Sequence, residues 1–548
     1  MENTMSDIKE KILEIYPSAQ FTEGETLMVT VEEKDWYSFA KALKETPGLE
    51  FDVLTAVVGM DWVESLGVIY YLTSTSRNWE VISVKVSVTD RKNPMIHSVS
   101  DLWKVANFQE REVYDFFGIR FINHPDMRRF FMRNDWKGHP LRKDYDTNPE
   151  LNPIPDKDEE NEDDTVIYLE DAEGKVTAKP GKVFEADDYV VNFGPQHPST
   201  HGVMRFRAAV DGETVKKVDV VSGYIHRGME KMSESLSYPQ ILHFTDRMDY
   251  MSAHMNRHCL CMCIEKALGI EVPRRAQVIR TMMDELMRIS SHLLSFGCTA
   301  MDLGATTAFF YGFREREMVL DIFEKTCGAR MSMNYNVIGG VIADLHPDFK
   351  KDVKALIDIM PSRLKEYHQV FTGNIIAMNR LKNVGDLPKE EAINYAITGP
   401  SGRGSDWSCD CRKKHPYACY GEVEFEEVLE KGCDSYARYM VRMREIEQSC
   451  KILSQLLDLL PDEGDIRAQV PKVIKLPEGR WYTQVEASRG TFGVYIESVG
   501  EKTPYRVHFQ SPCFNLVGVM DLTCSGYMIA DLITIGAALD FVIPDIDR

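Results

Sequence analysis

The chain has 548 residues, 44% of them hydrophobic and 27% charged, with a net charge of −21. That length supports two to four domains with real cores, and the charge argues against a nucleic-acid surface, which needs clustered Lys and Arg. No apolar run is long enough to cross a bilayer, and the acidic, amphipathic start MENTMSDIKEKILEIYP is unlike a signal peptide. The expected location is the cytoplasm, with any membrane link made through a partner.

In chain order, SDIKEKILEIY repeats apolar residues at helical spacing through Ile8, Ile12 and Leu13, whereas TLMVTVE and VISVKVSVTD alternate as strands. Residues 1–145 therefore predict a small α+β domain. Its end, FQEREVYDFFGIRFINHPDMRRFFMRNDWKGHPLRKDY, interleaves aromatics with Arg128, Arg129, Arg133, Arg142 and Lys143, a composition suited to a docking segment. Residues 146–188 carry 15 acidic and 4 basic side chains among Pro and Asn, and read as an acidic linker. Residues 189–548 predict a mainly helical domain with small peripheral β-sheets: strands at VMRFRAAV and VKKVDVV, helices near 238–269, 272–298, 303–327, 348–373 and 423–461, then strands at WYTQVEAS and FGVYIES and a last helix in YMIADLITIGAALDF. The fold class is α+β.

Several residue types could carry chemistry. FGPQHPSTHGV places His197 and His201 on backbone shaped by Pro and Gly, which cannot be helical and predicts a loop or tight hairpin. GYIHRGMEKM offers Arg227 and Glu230, FTDRMDY offers Arg247, Asp249 and a helical Tyr250, and Asp302 stands before Leu-Gly. A loop His, a Tyr and a carboxylate can deliver protons. Equally, Tyr250 can be a core residue, Asp302 a helix cap, and Arg227 and Glu230 an i,i+3 pair. The twelve cysteines all follow residue 258, and none forms a C-x-x-C pair. Cys259, Cys261 and Cys263 read as core thiols on a helix. Cys409, Cys411, His415 and Cys419 could hold zinc or be structural, and spacing leaves this open. No phosphate loop or dinucleotide fingerprint is present, so the chain is not expected to bind NADH itself.

Together these motifs resemble a known family. EREVYDFFGIRFINHPDMRRFF with DWKGHPLRKDY is similar to the C component of respiratory complex I, the proton-pumping quinone oxidoreductase. NFGPQHPSTHGVMRF, GYIHRGMEK, DRMDY, DELMRISSHLL, MDLGATTAFF, FRERE, NYNVIGG and the closing DIDR resemble its D component. The resemblance covers nearly the whole chain apart from the linker and points to a C/D fusion, whose second part shares the fold of the large subunit of nickel-iron hydrogenases. A membrane-bound hydrogenase or formate hydrogenlyase shares this fused architecture. Those enzymes hold their metals with two C-x-x-C pairs, which this chain lacks, so no nickel-iron centre is expected on its own residues. A third reading is a non-catalytic scaffold, which substitution at His201, Tyr250 or Asp302 would favour; all three are present.

The resemblance implies a quinone substrate, ubiquinone or menaquinone, reduced beside a 4Fe-4S cluster held by a neighbouring protein of the complex. It implies that His201 and Tyr250 donate hydrogen bonds and protons to the headgroup, that Asp302 pairs with His201, and that Arg227 and Arg247 lie close to the cluster, with His197 and Asp249 completing the cofactor-facing set. Implied partners are the other complex I proteins, especially the B-like 4Fe-4S protein, the I-like ferredoxin protein and the H-like membrane protein, at the cytoplasmic side of a bacterial inner membrane. At Ser332 many relatives carry a histidine; its replacement implies a weaker pH dependence of the cluster potential, and a potential suited to menaquinone, which redox titration at several pH values would measure.

Overall fold

The computed structural model describes residues 2–147, 163–196 and 202–548. The chain divides into two compact units: Met1–Val191 with Val221–His226 and Ile393–Ala396, and Asn192–Val220 with Arg227–Ala392 and Ile397–Arg548.

The first unit is α+β. Helices α1 (Glu2–Ile15), α2 (Trp36–Glu45) and α3 (Ala106–Phe117) accompany a five-stranded sheet of order β1-β2-β5-β4-β3, built from Gln20–Thr22, Leu27–Glu32, Val53–Asp61, Leu66–Ser74 and Glu80–Val88. The period-2 runs explain its centre: β2 and β5 pair in parallel with Val29 opposite Val84 and Val31 opposite Val86, all buried. Helix α3 packs on β3 at Gly59, where a Cβ would stand 2.5 Å from the Phe117 ring.

A second sheet has the order β6-β7-β8-β9, from Met95–His97, Arg120–Ile122, Asp164–Glu170 and Val176–Lys182. Its last two strands form an antiparallel hairpin inside the segment expected to be linker. Composition underestimated it because TVIYL and KVTAK are short alternating runs set in an acidic stretch, and β8 gains pairing from β7, where Ile122 lies opposite Tyr168.

The aromatic and Arg-rich tail is largely consumed within this unit. The Asp115 carboxylate accepts the backbone N–H groups of Phe130, Phe131 and Met132 and an Arg129 Nη1–H at 2.8 Å. Arg142 donates to the Phe117 carbonyl, and Phe130 and Phe131 are buried. The charges that suggested docking are in large part tethers for an irregular segment.

From residue 189 the elements are β10 (Tyr189–Gln196), β11 (Met204–Asp211) and β12 (Thr214–Val221) in one sheet; short helices α4 (Met229–Ser233) and α5 (Tyr238–Thr245); then α6 (Ala253–Leu268), α7 (Arg274–Asp302) and α8 (Thr306–Cys327). A two-stranded β13–β14 ribbon (Asn336–Val337, Gly340–Val341) precedes α9 (Phe349–Tyr367), α10 (Ile375–Leu381), α11 (Lys389–Asn394), α12 (Gly399–Arg403), α13 (Cys411–Lys414) and α14 (Ser435–Leu459). The sheet β15-β16-β17 (Glu478–Ala487, Gly490–Val499, Arg506–Gln510) and helices α15 (Pro512–Gly518), α16 (Met520–Cys524), α17 (Ile529–Leu539) and α18 (Ile543–Asp547) complete the chain.

Helix α7 is buried on nearly every face, which places it at the centre of the helical core. It meets α8 closely at Gly312, where a Cβ would lie 2.8 Å from the Leu293 carbonyl oxygen.

Three local expectations change. The single helix expected over 238–269 breaks at residues 246–252, so Tyr250 sits in the turn between α5 and α6 and not on a helix. The helix expected from 423 starts only at Ser435, because Asp434 caps it by accepting from Ala437 N–H, and Cys433 before it adopts φ 58°. The start of the FGPQHPSTHGV motif, Phe193 to Gln196, belongs to strand β10, an edge strand, the position in a sheet where a proline such as Pro195 is tolerated. His197 and His201 lie outside the described residues.

Candidate active site

The turn carrying Tyr250 is fixed by its neighbour. Asp249 is buried, accepts the Met251 N–H at 3.0 Å and is gripped by Arg489 Nη1 at 3.0 and 3.3 Å. Arg489 itself stands between β15 and β16 and uses its whole fork. Nε donates to the Asp540 carbonyl at 2.7 Å, Nη2 approaches the Asp540 carboxylate at 3.3 Å, and Nη1 also donates to Ser291 Oγ on α7 at 3.0 Å. One fully buried guanidinium thus joins four pieces of chain: the α5–α6 turn, α7, the β15–β16 turn and the end of α17. A planar fork with five donors suits this task where a lysine would not.

Tyr250 is half-buried beside this clamp. Burial pushes its phenol above the usual tyrosine range, the Arg489 charge acts against that, and Asp249, Cys298 and Asp540 push it further up. The hydroxyl therefore keeps its proton at neutral pH, as a donor must.

Asp302 is the last residue of α7, one turn beyond Cys298, so it does not cap a helix N-terminus. The Cys298 thiol is pushed up to about 12 by burial first and then by the Asp540 and Asp302 charges, and Cys298 in turn acts on Tyr250. The described part of the chain after the histidine motif leads to the same place: a Cβ on Gly202 would stand 2.5 Å from Ile543 Cβ, three residues beyond Asp540.

Arg247 shares the turn with Tyr250 and is exposed, 3.6 Å from the buried Asp246 carboxylate. Arg227 is exposed ahead of α4. It is not the partner of Glu230, which is buried and takes Arg506 Nη1 at 2.6 Å, His508 Nδ1 at 3.1 Å and Arg548 Nε at 3.4 Å. Ser332 lies in the segment after α8 with φ 54°.

The cysteines separate by environment. Cys259 and Cys263 are buried on α6 with their thiols against the carbonyls of Thr483 and Val494. Among the four zinc candidates, all within the described residues, Cys419 Sγ accepts from Arg274 Nη1 at 3.3 Å, and no three bring ligand atoms within 4.8 Å of one another.

Sequence reasoning missed Arg489, Asp540 and Asp545. The last is fully buried, and burial, then the Asp249 charge, raises its carboxyl to about 6. Only the SRG between two strand runs and the DIDR ending hinted at them, and neither reveals a contact across 240 positions.

Residues 29–150 match the family described as Respiratory-chain NADH dehydrogenase, 30 Kd subunit. Residues 302–475 and 468–548 match Respiratory-chain NADH dehydrogenase, 49 Kd subunit. The chain is 55% identical over 507 residues to the C/D subunit of NADH-quinone oxidoreductase from Phocaeicola vulgatus, covering 92% of this chain and 97% of the relative. It is 55% identical over 511 residues to that of Bacteroides fragilis, covering 91% and 96%. To the separate D subunit of NADH-quinone oxidoreductase from Bacillus cytotoxicus it is 42% identical over 365 residues, covering 67% of this chain and 100% of the relative. With an α+β first unit, a helical second part and relatives matched over almost their full length, the chain belongs to the family of C/D subunits of NADH-quinone oxidoreductase, respiratory complex I.

Proposed function

We propose that this chain forms the quinone-reducing end of the complex, in a pocket around the α5–α6 turn, the end of α7 and His201. Quinone reduction takes up two electrons and two protons, so a site needs a protonated donor near each carbonyl oxygen. Tyr250 supplies one and His201 the other, with Asp302 orienting His201. Asp249 acts beneath the turn, and Arg227 and Arg247 favour electron arrival from a tetranuclear iron–sulfur cluster held by a neighbouring protein of the complex, since nearby positive charge stabilises a cluster's reduced state. The implied neighbours are the B-like, I-like and H-like proteins, and the assembly sits on the cytoplasmic face of a bacterial inner membrane. Among the described residues no helix is long and apolar enough to cross that membrane.

The observation that carries this reading is the Tyr250 turn: a half-buried phenol held protonated, whose neighbour is locked by a saturated buried arginine. A core tyrosine would not need that anchoring. The test is quinone reduction by membranes containing the assembled complex, driven by a low-potential artificial donor. Tyr250→Phe is expected to lose roughly 10²–10⁴-fold in rate, the usual worth of a positioned proton donor. Full activity in an assembled Tyr250→Phe complex would overturn the assignment.

A further inference from the structure

Tyr250 feels two buried guanidinium groups, and they differ in one respect. Arg489 satisfies its donors on protein atoms. Arg316, on α8, is 8% exposed, yet among the described residues it makes no ion pair or hydrogen bond, and its Nε is buried without an acceptor. Its one packing partner of note is the Phe313 ring, 5.6 Å from the guanidinium carbon. Its charge acts on Tyr250 and Cys298.

The neighbouring acids form no ion pair with it, although the Glu317 charge favours its charged form. In Arg314-Glu315-Arg316-Glu317, Glu315 is held by Arg314 at 2.6 Å and by Arg363 at 3.1 Å, and Glu317 is held by Arg330. Among the described residues, three of the four charges have partners and Arg316 does not. A guanidinium stays charged at any physiological pH, and leaving it buried and unpaired is strongly unfavourable, as a broken buried ion pair is. Such a group is retained where something outside the chain supplies the acceptor.

The surroundings indicate what that is. Phe309, Phe313 and Arg316 share one face of α8 with Gly312, and exposed Phe310 adjoins Phe309. The Phe309 ring lies 4.5 Å from that of Phe313, tilted, and 5.4 Å from that of Phe310, edge-on. An aromatic face ending at a lone guanidinium whose charge Tyr250 feels fits a ligand with a long apolar tail and an oxygen-bearing head.

Building on the proposed quinone site, we infer that Arg316 is a headgroup-binding residue, donating to the quinone oxygen on which negative charge accumulates during reduction. A planar fork can reach that oxygen with two N–H groups, and the attraction grows as charge develops there.

The test uses the assembled complex in membranes, with a short-chain benzoquinone as probe and rates expressed per assembled complex. Arg316→Gln is expected to lower kcat/KM at least about tenfold, the scale of a hydrogen bond to a charged group. Arg316→Lys should recover part of that loss. Thermal stability should fall little in Arg316→Gln, because no ion pair or hydrogen bond to protein is removed, whereas a structural arginine would lower it substantially. Unchanged kcat and KM in assembled Arg316→Gln overturn the inference and mean that a carboxylate of a neighbouring protein takes the guanidinium. If Arg316→Gln fails to assemble, Arg316→Lys decides: a fall in kcat/KM of about threefold or more supports the inference, and wild-type values overturn it. Tyr250→Phe measured in parallel separates the two claims. Loss there with no effect at Arg316 sinks the inference alone, and full activity there sinks the site on which it rests.

Discussion

At the scale of single residues, Arg489 is the position with the largest expected effect on stability. Removing it leaves Asp249 buried without its cation and Asp540 with only Arg442 at 3.5 Å, and breaking a buried pair from one side costs about 3–5 kcal/mol. Arg489→Met should therefore destabilise by that amount in chemical denaturation. Adding Asp249→Asn to Arg489→Met should return part of the loss, because one stranded charge is gone. Equal costs in both backgrounds would show that Arg489 acts through Asp540 alone. Asp249 was legible as a candidate from DRMDY, but its role was not: the sequence offers a carboxylate next to Tyr250, and only the fold turns it inward onto Arg489.

Among the elements, α14 shows how a boundary is set. Its apolar periodicity extends back toward 423, yet the helix begins where Asp434 offers one carboxylate oxygen to Ala437 N–H at 2.8 Å and the other to Asn383 N–H at 2.8 Å. Asp434→Ala should cost about 1–2 kcal/mol, the range for a lost cap, and more than an exposed cap would because a second segment is released. Urea denaturation of the purified chain measures it, and a change below about 0.5 kcal/mol would show the cap to be redundant. The long helices α7, α8 and α9 were readable because each spans many turns of one period. The β8–β9 hairpin was not, since its stability comes from pairing with β7 and not from its own apolar content.

Across the whole molecule, the second unit is built around buried charge. Arg403 bridges Glu445 and Glu486, at 2.7 Å to the latter, and Arg412 contacts Asp410, Glu285 and Glu445 at 2.7, 3.1 and 3.4 Å. His292 reaches Glu445 at 2.8 Å from α7. Burial alone would raise the Glu445 carboxyl, but Arg403, His292 and Arg412 hold it well below 4.5. A carboxylate whose folded pKa is depressed contributes stability that is complete above its unfolded pKa and lost as pH falls through the folded one. Stability should therefore decline steadily below about pH 4.5, while moderate salt at neutral pH changes it little, because buried pairs are poorly screened. Thermal unfolding across about pH 3–7 and at two ionic strengths measures both; a strong salt dependence at neutral pH would place the important charges on the surface instead.

By itself the sequence determined the order of elements, the acidic interruption, the absence of paired cysteines and the family, because each is a matter of local pattern or contiguous motif. It named Tyr250, Asp302, Arg227 and Arg247 as candidates on the same ground. Tertiary structure alone decided that Tyr250 stands in a turn, that Arg489 is saturated on protein atoms, and that Arg316 has no ion-pair partner among the described residues. Those relations join residues up to hundreds of positions apart. Whether a charge is paired depends on which segments meet, and no local spacing encodes that.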